Sequence, residues 1–255
     1  MLATLPMYDF PEVRPATEAF WQAIAQRLGV SVPLSQPDDW MEAWRRPELL
    51  FSQTCGYPFT HEFAGKLKLV ATPHYEAPGC AGPLYCSILF AREPRPLPQF
   101  RETVAAFNAN DSMSGMLALK LMFAPYAEDG RFFSRAVKTG GHLASLAALQ
   151  NGEADVAAID CVTVAYLRRY RPQALSGLVE VARSPQVPGL PFVTIAGEVE
   201  RLSSALAEVF ADSGLADVRH RLLLNGFSIL GEADYAVISR LEMEMESRGG
   251  LLLES

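Results

Sequence analysis

The chain has 255 residues, a formal charge of −7 and a pI near 5.2, with 49% hydrophobic and 20% charged residues. That length builds one large domain or two modest ones, and the composition is that of an ordinary soluble globular protein. An acidic chain without a basic run argues against nucleic acid or anionic membrane as a partner, and no run is long enough for membrane insertion.

Residues 2–8 (LATLPMY) read as a first strand ending at Tyr8 and Asp9. This N-terminus has no early Lys or Arg, and Pro6 breaks its apolar stretch, so it does not read as a secretory signal. A cytoplasmic location is therefore expected as written, and a periplasmic one if the start is truncated. Pro15 to Leu28 carries apolar residues at helical spacing, and Gly29 closes it. Val30–Leu34 suggests a second strand, and Asp38 or Asp39 opens a short helix that Pro47 stops. Leu49–Thr54 is a third strand, leading into a turn at Cys55-Gly56-Tyr57-Pro58. Lys66–Pro73 alternates as a fourth, and Pro83–Arg92 is the most β-like run in the chain.

The stretch EPRPLPQF then places three prolines in eight residues, a candidate boundary between lobes. A strand at Thr103–Phe107 feeds the polar loop Asn108 to Gly115, and apolar residues from Met113 to Met122 recur as in a helix. A strand near Phe133–Thr139 meets Gly140-Gly141-His142 and a helix to Gln150. Asp155–Ile159 is a short buried strand reaching Asp160, before a helix over Val162–Tyr170. Strands at Leu178–Arg183 and Phe192–Ala196 flank a second proline cluster, SPQVPGLPF. The tail is expected to be helical over Glu198–Ala211 and Leu215–Leu224, then an FSIL strand, then a long helix from Ala233. In that last helix, Leu241, Met243 and Met245 alternate with glutamates and read as a solvated surface. Strands alternating with helices argue for a largely parallel sheet. The economical arrangement is two lobes, with 93–189 inserted between 1–92 and 190–255; one continuous sheet is the alternative.

In open α/β sheets ligands bind beyond the carboxyl ends of the strands. Those ends carry Tyr8, Tyr57, Asn108 to Gly115, Thr139 to His142, and Asp160. Ser112 suits a helix N-cap, so the first-turn N–H groups, the helix dipole and the hydroxyls of Ser112 and Ser114 favour an oxyanion. Gly141 and His142 open a second helix of the same character. Tyr8 and Tyr57 could add an aromatic wall with hydroxyls. Asp160 would repel a dianion and suits a ligand with an acidic proton or an amino group; it could equally be only the N-cap of the following helix, and His142 only a capping residue. GxSxG, Walker A, GxGxxG and HExxH motifs are all missing from the sequence. His61, His74, Cys80 and Cys86 match no familiar metal spacing, so neither metal nor cofactor is expected. The four cysteines form no CxxC pair; Cys80 and Cys86 could pair in an oxidising compartment, but free thiols are expected in a cytoplasmic protein.

The order NANDSMSG, then GGH at a helix start, then ADVAAIDCVT resembles the phosphate/phosphonate-type solute-binding proteins of ABC transporters. GPLYCSILFAR, TCGYP and PGLPF are similar to that family's hinge strand, aromatic turn and returning crossing, and the likeness runs over about Leu2 to Ala196. The resemblance implies a two-lobed α/β fold of the type II periplasmic-binding class, with mixed or parallel sheets and two hinge crossings. It implies that Ser112, Met113, Ser114 and Gly115 lie on the phosphonate cradle, with His142 at the second helix start. Asp160 would face the ligand, and Tyr57 and Tyr85 would take aromatic positions on the opposite lobe. Asp111 and Met113 interrupt what is often a run of small hydroxyl residues. The expected function is binding of a small oxyanion, phosphonate or phosphate-like, in an interlobe cleft, with an ABC transporter permease as a possible partner or with a sensor role. The alternative is an enzyme on the same fold, of pyrimidine-precursor or menaquinone-pathway type, using His142 and Asp160 as acid and base.

Overall fold

The computed structural model describes residues 1–253. The first strand is shorter than its sequence suggests: β1 is Leu2–Thr4, because Pro6 cannot donate to a sheet ladder. Helix α1 (Arg14–Leu28) has a proline in its first turn and closes on Gly29, whose φ of 66° suits glycine at a left-handed C-terminal position. Residues 30–34 form no strand; Leu34 makes only an isolated bridge to Ala3. Asp39 caps α2 (Trp40–Arg45) by accepting from the Glu42 N–H. After β2 (Leu49–Gln53), the expected turn at 55–58 is instead a short helix, α3 (Gly56–Thr60). Proline near its start is compatible with a first helical turn, where no N–H partner is required.

The chain continues through β3 (Lys68–Tyr75), β4 (Leu84–Tyr85), β5 (Ser87–Ala91) and β6 (Val104–Phe107). A wide turn over Met113–Leu117 runs into α4 (Ala118–Phe123), followed by β7 (Arg135–Lys138), α5 (His142–Gln150) and β8 (Val156–Asp160). Then come α6 (Cys161–Tyr170), β9 (Val179–Arg183), β10 (Val187–Pro188), β11 (Phe192–Thr194) and α7 (Val199–Ala211). The tail is α8 (Ala216–Arg221), β12 (Leu224–Ser228) and α9 (Glu232–Ser247). The last strand thus starts three residues before the expected FSIL. On α9, Met243 is exposed as expected, whereas Met245 is buried.

These elements form two compact units. One comprises residues 1–76, 81–84 and 188–235; the other comprises 77–80, 85–187 and 236–253. The chain therefore leaves the first unit briefly over 77–80 and then at 84/85, not at the prolines of 93–98, and most of α9 belongs with the second unit rather than with the first. The reason lies in β5, which hydrogen-bonds β8 on one side and β9 on the other. The prolines after it only turn the chain from β5 towards β6 within the same unit.

The first unit is built on a five-stranded sheet in the order β1-β2-β11-β3-β12. Only β1 and β2 are parallel; the other neighbours are antiparallel, against the expectation of a largely parallel sheet. Its core is aromatic: Trp21 stacks on Phe51 at 5.5 Å, and Phe51 lies 5.1 Å from Phe192. The indole N–H groups are satisfied, Trp21 by Val32 O and Trp44 by Ser52 Oγ, so these large side chains are buried without stranding a donor.

The second unit is a mixed five-stranded sheet in the order β7-β6-β8-β5-β9. Here β6 is parallel to both β7 and β8, while β5 runs antiparallel to β8 and β9. Both β5 and β8 are buried along their whole length, which is why Ile88–Ala91 and Val156–Ile159 read as unbroken apolar runs. A parallel pair requires a crossover, supplied by α4 between β6 and β7 and by α5 between β7 and β8. All three parallel strands consequently end at one edge of the sheet. That edge carries the loop 108–115, the segment 139–142 and Asp160.

Candidate functional site

The three strand ends are tied to one another by backbone bonds. Thr139 N–H donates to Phe107 O and Gly140 N–H to Asn108 O, both at 2.9 Å, which holds the second loop against the first. The Thr139 hydroxyl reinforces this by donating to Phe107 O at 3.1 Å and meeting Ser145 Oγ at 2.7 Å. Helix α5 is thereby oriented by its own first turn.

Ser112 is the N-cap that its sequence suggests. Its Oγ accepts from Gly115 N–H at 2.9 Å, satisfying one orphan donor of the first turn. The turn that follows is wider than an α-helix, with Leu117 N–H reaching back five residues to Ser112 O. Such wide turns recur at functional sites because they re-aim side chains relative to a regular helix. Here Ser112, Met113, Ser114 and Gly115 are all buried. Ser112 Oγ and Ser114 Oγ lie 3.5 Å apart.

The side chains of Ser114 and His142 meet. Ser114 Oγ is 2.9 Å from His142 Nε2, so the two helix starts converge on one contact. The other imidazole nitrogen, Nδ1, is buried with no hydrogen-bond partner among the described residues. Burial lowers the His142 pKa to about 4, so the ring is neutral at physiological pH. A neutral imidazole bonded to a hydroxyl has one donor to spare in either tautomer. With hydrogen on Nε2, the Ser114 O–H is released; with hydrogen on Nδ1, that N–H is released.

One participant was not singled out as a site residue from the sequence. Asn108 Oδ1 is also buried without a partner, and it lies hard against Gly115. A Cβ added at Gly115 would sit 1.9 Å from Asn108 Oδ1, so only glycine permits this approach. Two orphaned polar atoms in one cluster are uncommon in a packed interior, where nearly every such group is paired. The sequence signals for Asn108 were its place directly after a strand and at the head of the NANDSMSG segment.

Asp160 is buried and caps α6. Its Oδ1 accepts from Val162 N–H at 2.7 Å and Thr163 N–H at 2.9 Å. The simpler of its two sequence readings, the helix cap, is therefore realised.

The tyrosines divide between the units. Tyr85, expected on the opposite lobe with Tyr57, belongs to the unit that holds Ser112 and His142, because the chain crosses between Leu84 and Tyr85. Its ring is buried. In the first unit, Tyr57 stacks on His61 at 3.9 Å, and Tyr8 meets Tyr75 edge-on at 5.1 Å. The Tyr75 hydroxyl accepts from Gln53 Nε2 at 2.9 Å, and that amide also donates to Leu190 O. His61 is thus engaged with Tyr57 and Thr60, and His74 with Ser228, rather than with each other.

Comparison with known proteins adds a family. A model described as the periplasmic phosphonate substrate-binding protein of ABC transporters matches residues 2–235. Among solved structures, PhnD1 of Prochlorococcus marinus in complex with methylphosphonate is 13% identical, with a TM-score of 0.79, covering 96% of this chain and 98% of that one. XAC2383 of Xanthomonas citri bound to ATP is 17% identical, with a TM-score of 0.71 and 97% of each chain covered. A binding component of a phosphonate ABC transporter from Pseudomonas aeruginosa, PA3383, is 16% identical, with a TM-score of 0.73, covering 97% of this chain and 87% of that one. At these identities the likeness establishes the periplasmic-binding-protein fold. No curated protein matches the chain in sequence.

Proposed function

We propose a function from one premise: this chain belongs to the family of phosphonate-binding periplasmic substrate-binding proteins of ABC transporters. Its function is then binding without chemistry, and its ligand is a small phosphonate- or phosphate-like oxyanion. The observation that carries this reading is the Ser114–His142 contact, which unites two helix starts at the edge where the three parallel strands of a mixed sheet end. Helix beginnings direct unpaired N–H groups and a positive dipole end at an anion. Ser112, Ser114, Gly115 and His142 form the cradle, Met113 packs beside it, and Asn108 joins them. Asp160, Tyr8, Tyr57 and Tyr85 complete the expected set, each to be tested singly by substitution.

Three features favour binding over the enzyme alternative. The family is one of binding proteins. An imidazole held at a pKa of about 4 is a weak base at neutral pH. Its Nδ1 also lacks the orienting partner that a Ser–His nucleophile pair requires.

The test is a thermal-shift panel of phosphate, methylphosphonate, alkylsulfonates and carboxylates, followed by calorimetry on the best ligand. Phosphonate-type anions should stabilise the protein, and Ser114→Ala combined with His142→Ala should remove that effect. Full stabilisation in the double variant would place the ligand elsewhere. A ligand returned altered by NMR would revive the enzyme reading. Fractionation of the source cells assigns the role: a periplasmic pool supports a transport receptor that delivers to a permease, and a cytoplasmic pool supports a sensor or carrier.

A further inference from the structure

The second unit carries a cluster of three thiols that oxyanion binding does not use. Cys80 Sγ lies 3.6 Å from Cys161 Sγ. Cys86 sits beside them, and its backbone carbonyl accepts from Cys161 N–H at 3.1 Å. Gly79 makes this convergence possible. Its φ of +117° is a glycine conformation, and a Cβ there would fall 2.9 Å from Cys161 Cβ and 3.0 Å from Cys86 Sγ. The loop 77–80 therefore rests its backbone directly on the first residue of α6.

The three cysteines differ in access. Cys86 and Cys161 are buried, while Cys80 is half-exposed at the loop. Hydrogen bonding of Cys86 to Cys161 and of Cys161 to Cys80, together with burial, holds the Cys86 and Cys161 thiols above their ordinary pKa, so both remain protonated at neutral pH. No group of cysteines, histidines or carboxylates among the described residues is arranged to hold a metal ion. Contact between thiols, with one reachable from solvent, is the arrangement that disulfide exchange requires.

The geometry points to a redox-modification site in which Cys80 and Cys161 form a disulfide by exchange with a small-molecule disulfide. The Cys80 thiolate attacks one sulfur of the small disulfide, giving a mixed disulfide and releasing one small thiol. The Cys161 thiol loses its proton, attacks Cys80 Sγ and releases the second. Two protein thiols are oxidised by two electrons, the small disulfide is reduced to two thiols, and the two protein protons end on those products. The sulfurs must close from 3.6 Å to about 2.05 Å. The bond would pin loop 77–80 to the first turn of α6, which Asp160 caps. It would also close a long loop of chain, which restricts the unfolded state.

Native full-length protein is incubated in oxidised and reduced glutathione mixtures, quenched by alkylation and mapped without reduction. The expected result is a Cys80–Cys161 linked peptide, loss of two of the four thiols, and a higher Tm for the oxidised form. Cys55→Ser should leave all of this unchanged. Cys80→Ser should abolish it, and because Cys80 is half-exposed this variant keeps the test decisive even if Cys161→Ser fails to fold. A Cys86–Cys161 bond in the native sequence, a stable glutathione adduct on Cys80 alone, or no reaction where a control dithiol is fully oxidised would each overturn the assignment. None of these outcomes depends on whether the protein binds an oxyanion.

Discussion

At the scale of single residues, the site is governed by two close approaches. Gly115→Ala would drive a methyl group into Asn108 Oδ1 and crowd the Asn108 backbone N–H at 3.3 Å. The Asn108 side chain must swing away, so a loss of about 1–3 kcal/mol in stability is expected, as for other overpacked sites. Removing the obstacle should rescue it: Gly115→Ala with Asn108→Gly should recover most of the loss in denaturant titration, whereas additive losses would show that the two residues do not touch. His142 makes a pH prediction. Its folded pKa of about 4 lies below the ordinary value of 6.5, so the unfolded chain binds its proton first. The resulting stability is present above pH 6.5 and is lost as pH falls towards 4, by at most about 3 kcal/mol. Denaturation at pH 7 and 4.5 should show this fall in the native sequence and less of it in His142→Asn. A His142 imidazole titrating near 6.5 by NMR would contradict the buried, neutral ring.

At the scale of elements, Asp160 poses the sharpest question, because capping and ligand contact demand the same atom type. Asparagine caps a helix about as well as aspartate but carries no charge. Asp160→Ala should therefore cost about 1 kcal/mol or more of stability through the lost bonds to Val162 and Thr163. Asp160→Asn should cost little stability and report on the ligand alone. Weaker binding in the Asn variant would mean that the carboxylate pairs with a cationic amine. Tighter binding of a plain oxyanion would mean that Asp160 only repels it. Unchanged affinity would leave the residue purely a cap.

At the scale of the molecule, the charge of −7 works against an anionic ligand at long range, whereas hydroxyls and helix termini act within a few ångströms. Raising ionic strength should thus speed association by screening the repulsion, while leaving the dissociation rate nearly unchanged. Stopped-flow kinetics at low and high salt would check this, and a steep fall in association rate with salt would indicate steering by a positive patch instead. Ligand-linked stability should follow mass action, about 2.7 kcal/mol at a hundredfold excess of ligand over its Kd. A plateau well below that would mean the unfolded chain binds too.

Much of this was legible before any coordinates. The rhythm of β6, β7 and β8 with their helices, the Ser112 cap and the Gly29 stop all follow from short-range rules of spacing, capping and backbone freedom, which act within a turn or two of chain. The chain by itself also determined its family, because a family model matches it in sequence over residues 2–235. Tertiary structure alone decided the rest. It decided that β5 turns antiparallel beside β8, which moves the crossing to 84/85 and Tyr85 into the second unit. It decided that Asn108 leans on Gly115, that Ser114 reaches His142, and that Cys80 meets Cys161. Those pairs are between seven and eighty-one positions apart, and nothing local in the sequence encodes which side chains will touch once strands have chosen their neighbours. Periodicity sets each element, but the sheet order, a sum of many weak long-range contacts, sets the meeting points.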